Sequence, residues 1–356
     1  MVREKEIKVL IVDDSASIRN MLESFLNNDP NIKVIGKAGD PYQAAAFLKT
    51  QVPDVITLDI EMPKMDGLTF LRKIMAQHPI PVVIISSLTK KGANETIRAL
   101  EYGAVEIIQK PFVEEGKTNE GIQLIIEKVR AASVAKVSAR TQNILKIPPK
   151  YSADAVLKKS PSAANTNLDN QKVVALGAST GGTIALQQII QNLPITSPPL
   201  LIVQHMPVHF TKAFADRLNQ LCNIYVKEAE DGDIIKRGNA YIARGDRHLT
   251  IKKQGGELVV HLLDGPLVNR HKPSVDVLFR SMANHVGSKG IGILLTGMGD
   301  DGARGLLEMK EANANTIAQD EKSCVVFGMP REAINMDAHK AILGLSEISE
   351  LLSKIT

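Results

Sequence analysis

A chain of 356 residues is long enough for two domains of ordinary size, each with its own core. Its composition, 44% hydrophobic and 23% charged, is globular, and no apolar run reaches the ~20 residues that a bilayer span requires. The net charge of +4 is confined to residues 131–170, because residues 1–130 sum to −1 and residues 171–356 to +1. Neither flank offers a basic face, and with 4% aromatics nucleic acid is not an expected partner.

The charged start, Met-Val-Arg-Glu-Lys-Glu, leads into a short apolar run without a small-residue cleavage site, unlike a signal peptide. Cys222 and Cys324 are far apart and form no metal spacing, so they read as thiols in a reducing compartment. The expectation is a cytoplasmic protein with no membrane insertion.

In the first 130 residues, β-branched runs predict strands at Ile7–Val12, Ile32–Gly36, Val55–Leu58, Val82–Ser86 and Glu106–Gln109. Amphipathic stretches such as Ser17–Leu26 and Tyr42–Leu48 separate them as helices. Apolar strands alternating with helices predict a doubly wound α/β domain with a parallel sheet covered on both faces. Its functional groups then gather at the carboxyl ends of the strands. From about 136 to 169 the periodicity fails amid Pro, Ser and Asn, which predicts a linker, taken here as residues 131–170. A second alternation begins at Lys172–Leu176. It continues with strands at Leu200–Gln204, Ala240–Ala243, Leu258–Leu262 and Ile291–Thr296, and helices at Thr183–Leu193 and Asp276–His285. Residues 171–356 therefore form a second α/β domain.

Asp13 and Asp14 follow the first strand and Asp59 the third, so three carboxylates converge at one end of the first sheet. Clustered carboxylates call for a hard divalent cation such as Mg²⁺. Ser86 ends the fourth strand and Lys110, before Pro111, follows the fifth. A hydroxyl and an ammonium so placed suit the oxygens of a phosphoryl group on Asp59. Any one of these residues alone would be an ordinary cap of the next helix. Five at four different strand ends are more than that. With VDDS at Asp13–Asp14, LDIEMPKMDG around Asp59, Ser86 and KPF at Lys110, residues 1–125 resemble a response-regulator receiver domain. The resemblance implies phosphorylation of Asp59 by a histidine kinase. It also implies Mg²⁺ held by Asp14, Asp59 and the backbone of Glu61, with Asp13 acting through water.

The second domain opens with KVVALGASTGGTIALQQII, a Gly-rich strand–turn–helix. Such a turn either cradles phosphate at a helix N-terminus or lifts a serine nucleophile clear of a sheet. The glycines do not follow the dinucleotide spacing, and the next strand ends in Gln204–His205 where a ribose-binding acid would be wanted. The nucleophile reading gains from that same His205, and TGMGDDGA supplies carboxylates at Asp300 and Asp301. Ser179, His205 and one of these acids give nucleophile, base and orienting acid. Their order, Ser–His–Asp, is not that of the α/β-hydrolases.

GASTGG, QHMP at His205, GDRHL at His248, NRHKPSVDVLF from Asn269, LLTGMGDDGA and FGMPREA at Phe327 together resemble the catalytic domain of the chemotaxis protein-glutamate methylesterases, the CheB family. The resemblance implies two parallel-sheet α/β domains, a flavodoxin-like receiver and a three-layer Rossmann-like hydrolase. It implies Ser179 as nucleophile, His205 as base, Asp301 as acid, and backbone N–H groups of Thr180 and Met298 as the oxyanion hole. The implied substrates are glutamate methyl esters of chemoreceptors, and related members also deamidate receptor glutamines. Asp300 departs from the Asn, Arg or Lys often found before the acid, which bears on local pKa values. His248 and His271, beside Arg247, Arg270 and Lys272, are candidates for substrate contact or for solvated charge. The architecture leads to the expectation that an unphosphorylated receiver covers the Ser179 cleft. The competing readings are a phosphorylation-switched adaptor without chemistry and a methylesterase of a non-chemotactic receptor.

Overall fold

The computed structural model describes residues 6–62, 66–86, 90–110, 118–137 and 172–355. Most of the expected linker therefore lies outside the described residues, as do Pro111 and Phe112 of the KPF motif. The chain divides into two compact units, residues 1–144 and 145–356.

In the first unit, strands β1 (Ile7–Val12), β2 (Ile32–Ala38), β3 (Val55–Leu58), β4 (Val82–Ser86) and β5 (Glu106–Gln109) alternate with helices. These are α1 (Ala16–Leu26), α2 (Pro41–Leu48), α3 (Gly67–Gln77), α4 (Lys90–Glu101) and α5 (Thr118–Ser133). Every strand pair is parallel, in the order β2-β1-β3-β4-β5. The central strands are sealed on both faces: Val9, Leu10, Ile11, Ile56, Leu58 and Val82–Ile84 are fully buried. This is what a doubly wound sheet demands of its residues. Side-chain caps set the helix starts. Ser15 accepts from the N–H of Ile18, Asp40 from those of Tyr42 and Gln43, and Asp66 from that of Thr69. The last helix runs to Ser133, three residues beyond the boundary expected at 130, because its apolar face continues through Val129, Ala131 and Ala132, all buried.

The second unit has a seven-stranded parallel sheet in the order β14-β13-β12-β6-β7-β9-β8. Its strands are β6 (Val173–Ala178), β7 (Leu200–Gln204), β8 (Tyr225–Glu228), β9 (Asn239–Ile242), β12 (Gly290–Leu294), β13 (Asn315–Gln319) and β14 (Ala341–Leu343). Its helices are α6 (Gly182–Ile190), α7 (Val208–Leu221), α8 (Val275–His285), α9 (Ala303–Glu311), α10 (Met329–Asn335) and α11 (Leu345–Ser353). The chain winds outward from β6 through β7, then returns across β6 to β12 and winds the other way. The change of direction falls between β6 and β12, where doubly wound sheets place their functional groups.

One expected strand has a different role. The run around Leu258–Leu262 belongs to β11 (Glu257–Leu263), which pairs antiparallel with β10 (His248–Gln254) in a hairpin outside the parallel sheet. Gly255 and Gly256, both at positive φ, make its tight turn. Its buried side chains Leu249, Ile251, Leu258 and Val260 share one core with Leu278, Phe279 and Met282 of α8. Ser281 of α8 accepts the Ile251 N–H at 2.8 Å.

Candidate functional site

In the first unit, the ends of β1 and β3 bring their acids together. The N–H of Asp59 donates to the carbonyl of Val12 at 2.9 Å, extending the ladder by one step. Carboxylate oxygens of Asp13, Asp14 and Asp59 lie within 4.8 Å of one another. Lys110 bridges two of them, at 2.6 Å from Asp59 Oδ2 and 2.9 Å from Asp13 Oδ2. Its own N–H donates to the carbonyl of the fully buried Ser86, which ties the ends of β4 and β5 together. The N–H of Glu61 donates to Asp59 Oδ1 at 3.1 Å, so the backbone curls back over the acid. The structure thus gathers Asp13, Asp14, Asp59, Glu61, Ser86 and Lys110 at one end of the sheet.

Burial pushes the pKa of Asp59 up to about 6, with the charge of Asp13 adding to it, against the hydrogen bond and charge of Lys110. Burial opposes charge on Lys110 as well, but the hydrogen bonds and charges of Asp59 and Asp13 prevail and raise its pKa. Three carboxylates around one ammonium suit a hard divalent cation, and the donor set fits Mg²⁺. Gly67 explains part of LDIEMPKMDG: a Cβ there would stand 2.3 Å from the carbonyl oxygen of Asp59. Only glycine lets α3 begin so close to the acid.

In the second unit, Ser179 follows β6. Its N–H donates to the carbonyl of Thr296 at 3.0 Å, and its carbonyl accepts from Gly182 N at 2.7 Å and from the Gln204 amide at 2.9 Å. Gly181 makes the turn at φ +79°. A Cβ on Gly297 would lie 2.8 Å from the Cβ of Ser179 and 2.2 Å from the sulfur of Met329. The segment after β12 therefore packs directly on the serine, bringing Met298 beside it. The expected strand to Thr296 ends at Leu294, although Leu295 N–H still donates to the carbonyl of Gly177, and the residues after Thr296 build this turn. FGMPREA backs the same turn, since the N–H groups of Gly328 and Met329 both donate to the carbonyl of Gly297.

His205 follows β7 and Asp301 comes from the loop after β12. His205 Nε2 lies 2.8 Å from Asp301 Oδ2, and both side chains are almost fully buried. His205 Nδ1 is buried too and has no hydrogen-bond partner among the described residues. Asp301 also accepts from Val275 N at 2.7 Å, Ser274 Oγ at 2.7 Å, Asn269 Nδ2 at 2.8 Å and Asp276 N at 3.3 Å. Burial alone would raise its pKa. The hydrogen bond and charge of His205, the charge of His271 and the Asn269 bond outweigh that and hold it well below the usual carboxylate range. Asp300 is exposed, so geometry separates the two adjacent acids.

Of the remaining histidine candidates, His248 differs from both expectations. His248 is completely buried, its Nε2 3.0 Å from the carbonyl of Pro266 while Nδ1 accepts from Ser274 N at 3.2 Å. It is neither solvated nor open to substrate. It clamps the two ends of the loop that carries Asn269 and His271, and burial lowers its pKa, favouring the neutral form this clamp needs. The ring of His271 stacks on that of His205, with centroids 3.7 Å apart and planes 14° apart. Asn269, Ser274 and Asp276 were not among the expected site residues. Their segment, NRHKPSVDVLF, was noticed as a motif, but only the fold shows which of its polar groups turn inward.

A parallel sheet with a serine, a histidine and an aspartate at neighbouring strand ends is the arrangement of a serine-hydrolase type of domain, and the unit before it carries an acidic pocket. Residues 174–352 match the CheB methylesterase family and residues 9–144 the response regulator receiver domain. The chain belongs to the CheB methylesterase family, in its form with a receiver domain. A protein-glutamate methylesterase/protein-glutamine glutaminase of Geobacter metallireducens is 53% identical over 352 residues, 97% of this chain and 98% of its own. The protein of that name from Escherichia coli K12 is 49% identical over 354 residues, 99% and 97% of the two chains. The catalytic domain of Thermotoga maritima CheB superposes with a TM-score of 0.51 at 41% identity, covering 52% of this chain and 99% of that one. Among the described residues, no helix is long and apolar enough to cross a membrane.

Proposed function

We propose that the protein is a phosphorylation-activated, cytoplasmic serine hydrolase that demethylates glutamate methyl esters on chemoreceptors, and that Ser179, His205 and Asp301 carry the reaction. One observation supports this most directly. A buried imidazole is held through Nε2 by a buried carboxylate, and its other nitrogen is left unpartnered at the strand end next to Ser179. Nδ1 is then the base. It takes the Ser179 proton as Oγ attacks the ester carbonyl and returns it to the departing methanol. Water hydrolyses the acyl-enzyme by the same exchange, and the same steps on an amide release ammonia from a receptor glutamine. The N–H of Met298, which makes no hydrogen bond among the described residues, and that of Thr180 are the donors assigned to the oxyanion. Each such donor is typically worth about 3 kcal/mol in the transition state.

In the first unit Asp59 is the acceptor for a phosphoryl group from the chemotaxis histidine kinase. Asp14, Asp59 and the backbone of Glu61 would hold Mg²⁺, which supplies charge neutralisation there when bound. Asp13 would act on it through water, and Lys110 and Ser86 would take the phosphoryl oxygens. The test is methanol release from methylated receptor membranes by the native chain and by Ser179→Ala, with and without acetyl phosphate and Mg²⁺. Release that requires Ser179 and rises with the phosphodonor supports both halves. No release from folded protein that still takes phosphate on Asp59 would favour another receptor class or an adaptor. Deletion of residues 1–135 should raise the unstimulated rate if the receiver restrains the hydrolase.

A further inference from the structure

Of the five donors around Asp301, four belong to one short segment running from the loop after β11 into the first turn of α8: Asn269, Ser274, Val275 and Asp276. The Asn269 amide does more than serve Asp301. The same Nδ2 also donates to Asp276 Oδ2, at 2.6 Å. An NH₂ group has two protons, and here each is given to a different buried carboxylate. The other oxygen of Asp276 takes the N–H of Gly305, in the first turn of α9, at 2.7 Å. Asn269, Asp276 and Asp301 are 8%, 2% and 1% exposed, so the three form a polar cluster almost closed to water.

Two carboxylates joined through a neutral amide are costly to bury. Capping α9 at Gly305 does not require that cost, because an asparagine at 276 would accept the same hydrogen bond. We propose that Asn269 and Asp276 are positioning residues of the hydrolase, the amide fixing the Asp301 carboxylate and Asp276 both fixing the amide and adding a second negative charge behind the His205 imidazole. The proposal rests on the assignment of Ser179, His205 and Asp301 given above.

The surroundings of Asp276 bear on its charge. The loop after β12 presents Asp301 and Asp300, and the Asn269 segment presents its amide. From α9 comes the Gly305 N–H and, one turn further along α8, the Arg280–Glu308 ion pair. Beyond Asp301 lie His205 and His271. Burial, and after it the charge of Asp301, push the pKa of Asp276 up, with Asp300 adding to the rise against the bonds from Gly305 and Asn269. With Asp276 ionised, imidazolium formed during attack on the ester faces two carboxylates, and with Asp276 protonated it faces one.

The test is the pH dependence of kcat and KM for methanol release from methylated receptor membranes by the full chain, saturated with acetyl phosphate and Mg²⁺. Asp276→Asn keeps the shape and the acceptor for Gly305 and removes the charge. Its plateau kcat should fall roughly tenfold with KM unchanged, and its acid limb should move about half a pH unit lower because His205 becomes less basic. Asn269→Ser withdraws one proton from the pair of acids and should lower kcat without raising KM, moving the limb upward as Asp301 becomes more basic. A purely structural role would lower thermal stability and leave the limb of each variant in place, which overturns the proposal. If Asp276→Asn does not fold, Asn269→Ser decides by the same criterion. Full activity in Ser179→Ala would instead overturn the triad itself, an outcome distinct from unmoved limbs in variants of an enzyme that needs Ser179.

Discussion

Gly297→Ala tests the packing of the serine turn without touching a polar group. Gly297 has no positive φ, so alanine meets no backbone strain there. Its methyl group would lie 2.2 Å from Met329 Sδ, 2.8 Å from Ser179 Cβ and 3.3 Å from Met329 Cγ. The thioether can swing aside, although Met329 is fully buried and has little room. The Cβ of Ser179 cannot move without its backbone, which is pinned by the bond from its N–H to Thr296. Overpacking of this kind costs about 2 kcal/mol, which in a domain of this size lowers Tm by roughly 4–8 °C. The effect on catalysis should be larger, because a displacement of ~1 Å at a nucleophile costs on the order of 100-fold in kcat. The control is Gly232→Ala, at φ +87° with nothing within 4 Å of the added carbon. That variant should lose about 1–2 kcal/mol to backbone strain alone and keep its kcat. Methanol release and thermal melts of both variants settle the matter. A Gly297→Ala enzyme with kcat within twofold of the parent would refute the close approach of this segment to Ser179.

Asp301→Asn keeps the shape of the acid but puts an amide among its donors, and should lower kcat by about 10⁴-fold with the protein folded, as judged by methanol release beside a thermal melt. Arg280→Ala removes one partner of a buried two-point pair with Glu308, so the second unit should lose about 3–5 kcal/mol in urea denaturation while phosphorylation of Asp59 is unaffected. For Asp59, the folded unit keeps a proton up to about pH 6 that the unfolded chain releases near 3.8. In EDTA the stability of the first unit should therefore fall as pH rises across that interval, by about 3 kcal/mol, and Asp59→Asn should abolish this part of the slope. A slope identical in the two proteins would contradict the shift.

The sheets were readable in the sequence where a buried strand is an unbroken apolar run: Val55–Leu58, Val82–Ser86 and Leu200–Gln204 match to the residue, whereas the buried Asn315–Gln319, with Asn, Thr and Gln in it, was not read. Strands of mixed character, such as Tyr225–Glu228 at the sheet edge and His248–Gln254 in the hairpin, carried no such signal. The acids and the serine were legible because each stands just beyond a readable strand, and sheet topology then brings strand ends together. The group around Asp301 was not, since Asn269, Ser274 and Asp276 lie in a loop whose course depends on tertiary contacts. His248 shows the limit most clearly: a histidine among basic residues suggested the surface, and only packing against Pro266 and Ser274 made it interior.

The order of β12, β6 and β7 in the sheet has a consequence for synthesis on the ribosome. Strand β12 lies beside β6 although more than a hundred residues separate them in the chain. A nascent polypeptide that has emerged only as far as β9 holds Ser179 and His205 but lacks the acid, the carbonyl of Thr296 that fixes the serine turn, and one whole flank of β6. A product stalled before residue 290 would therefore lack both Asp301 and the strand that completes the sheet beside Ser179.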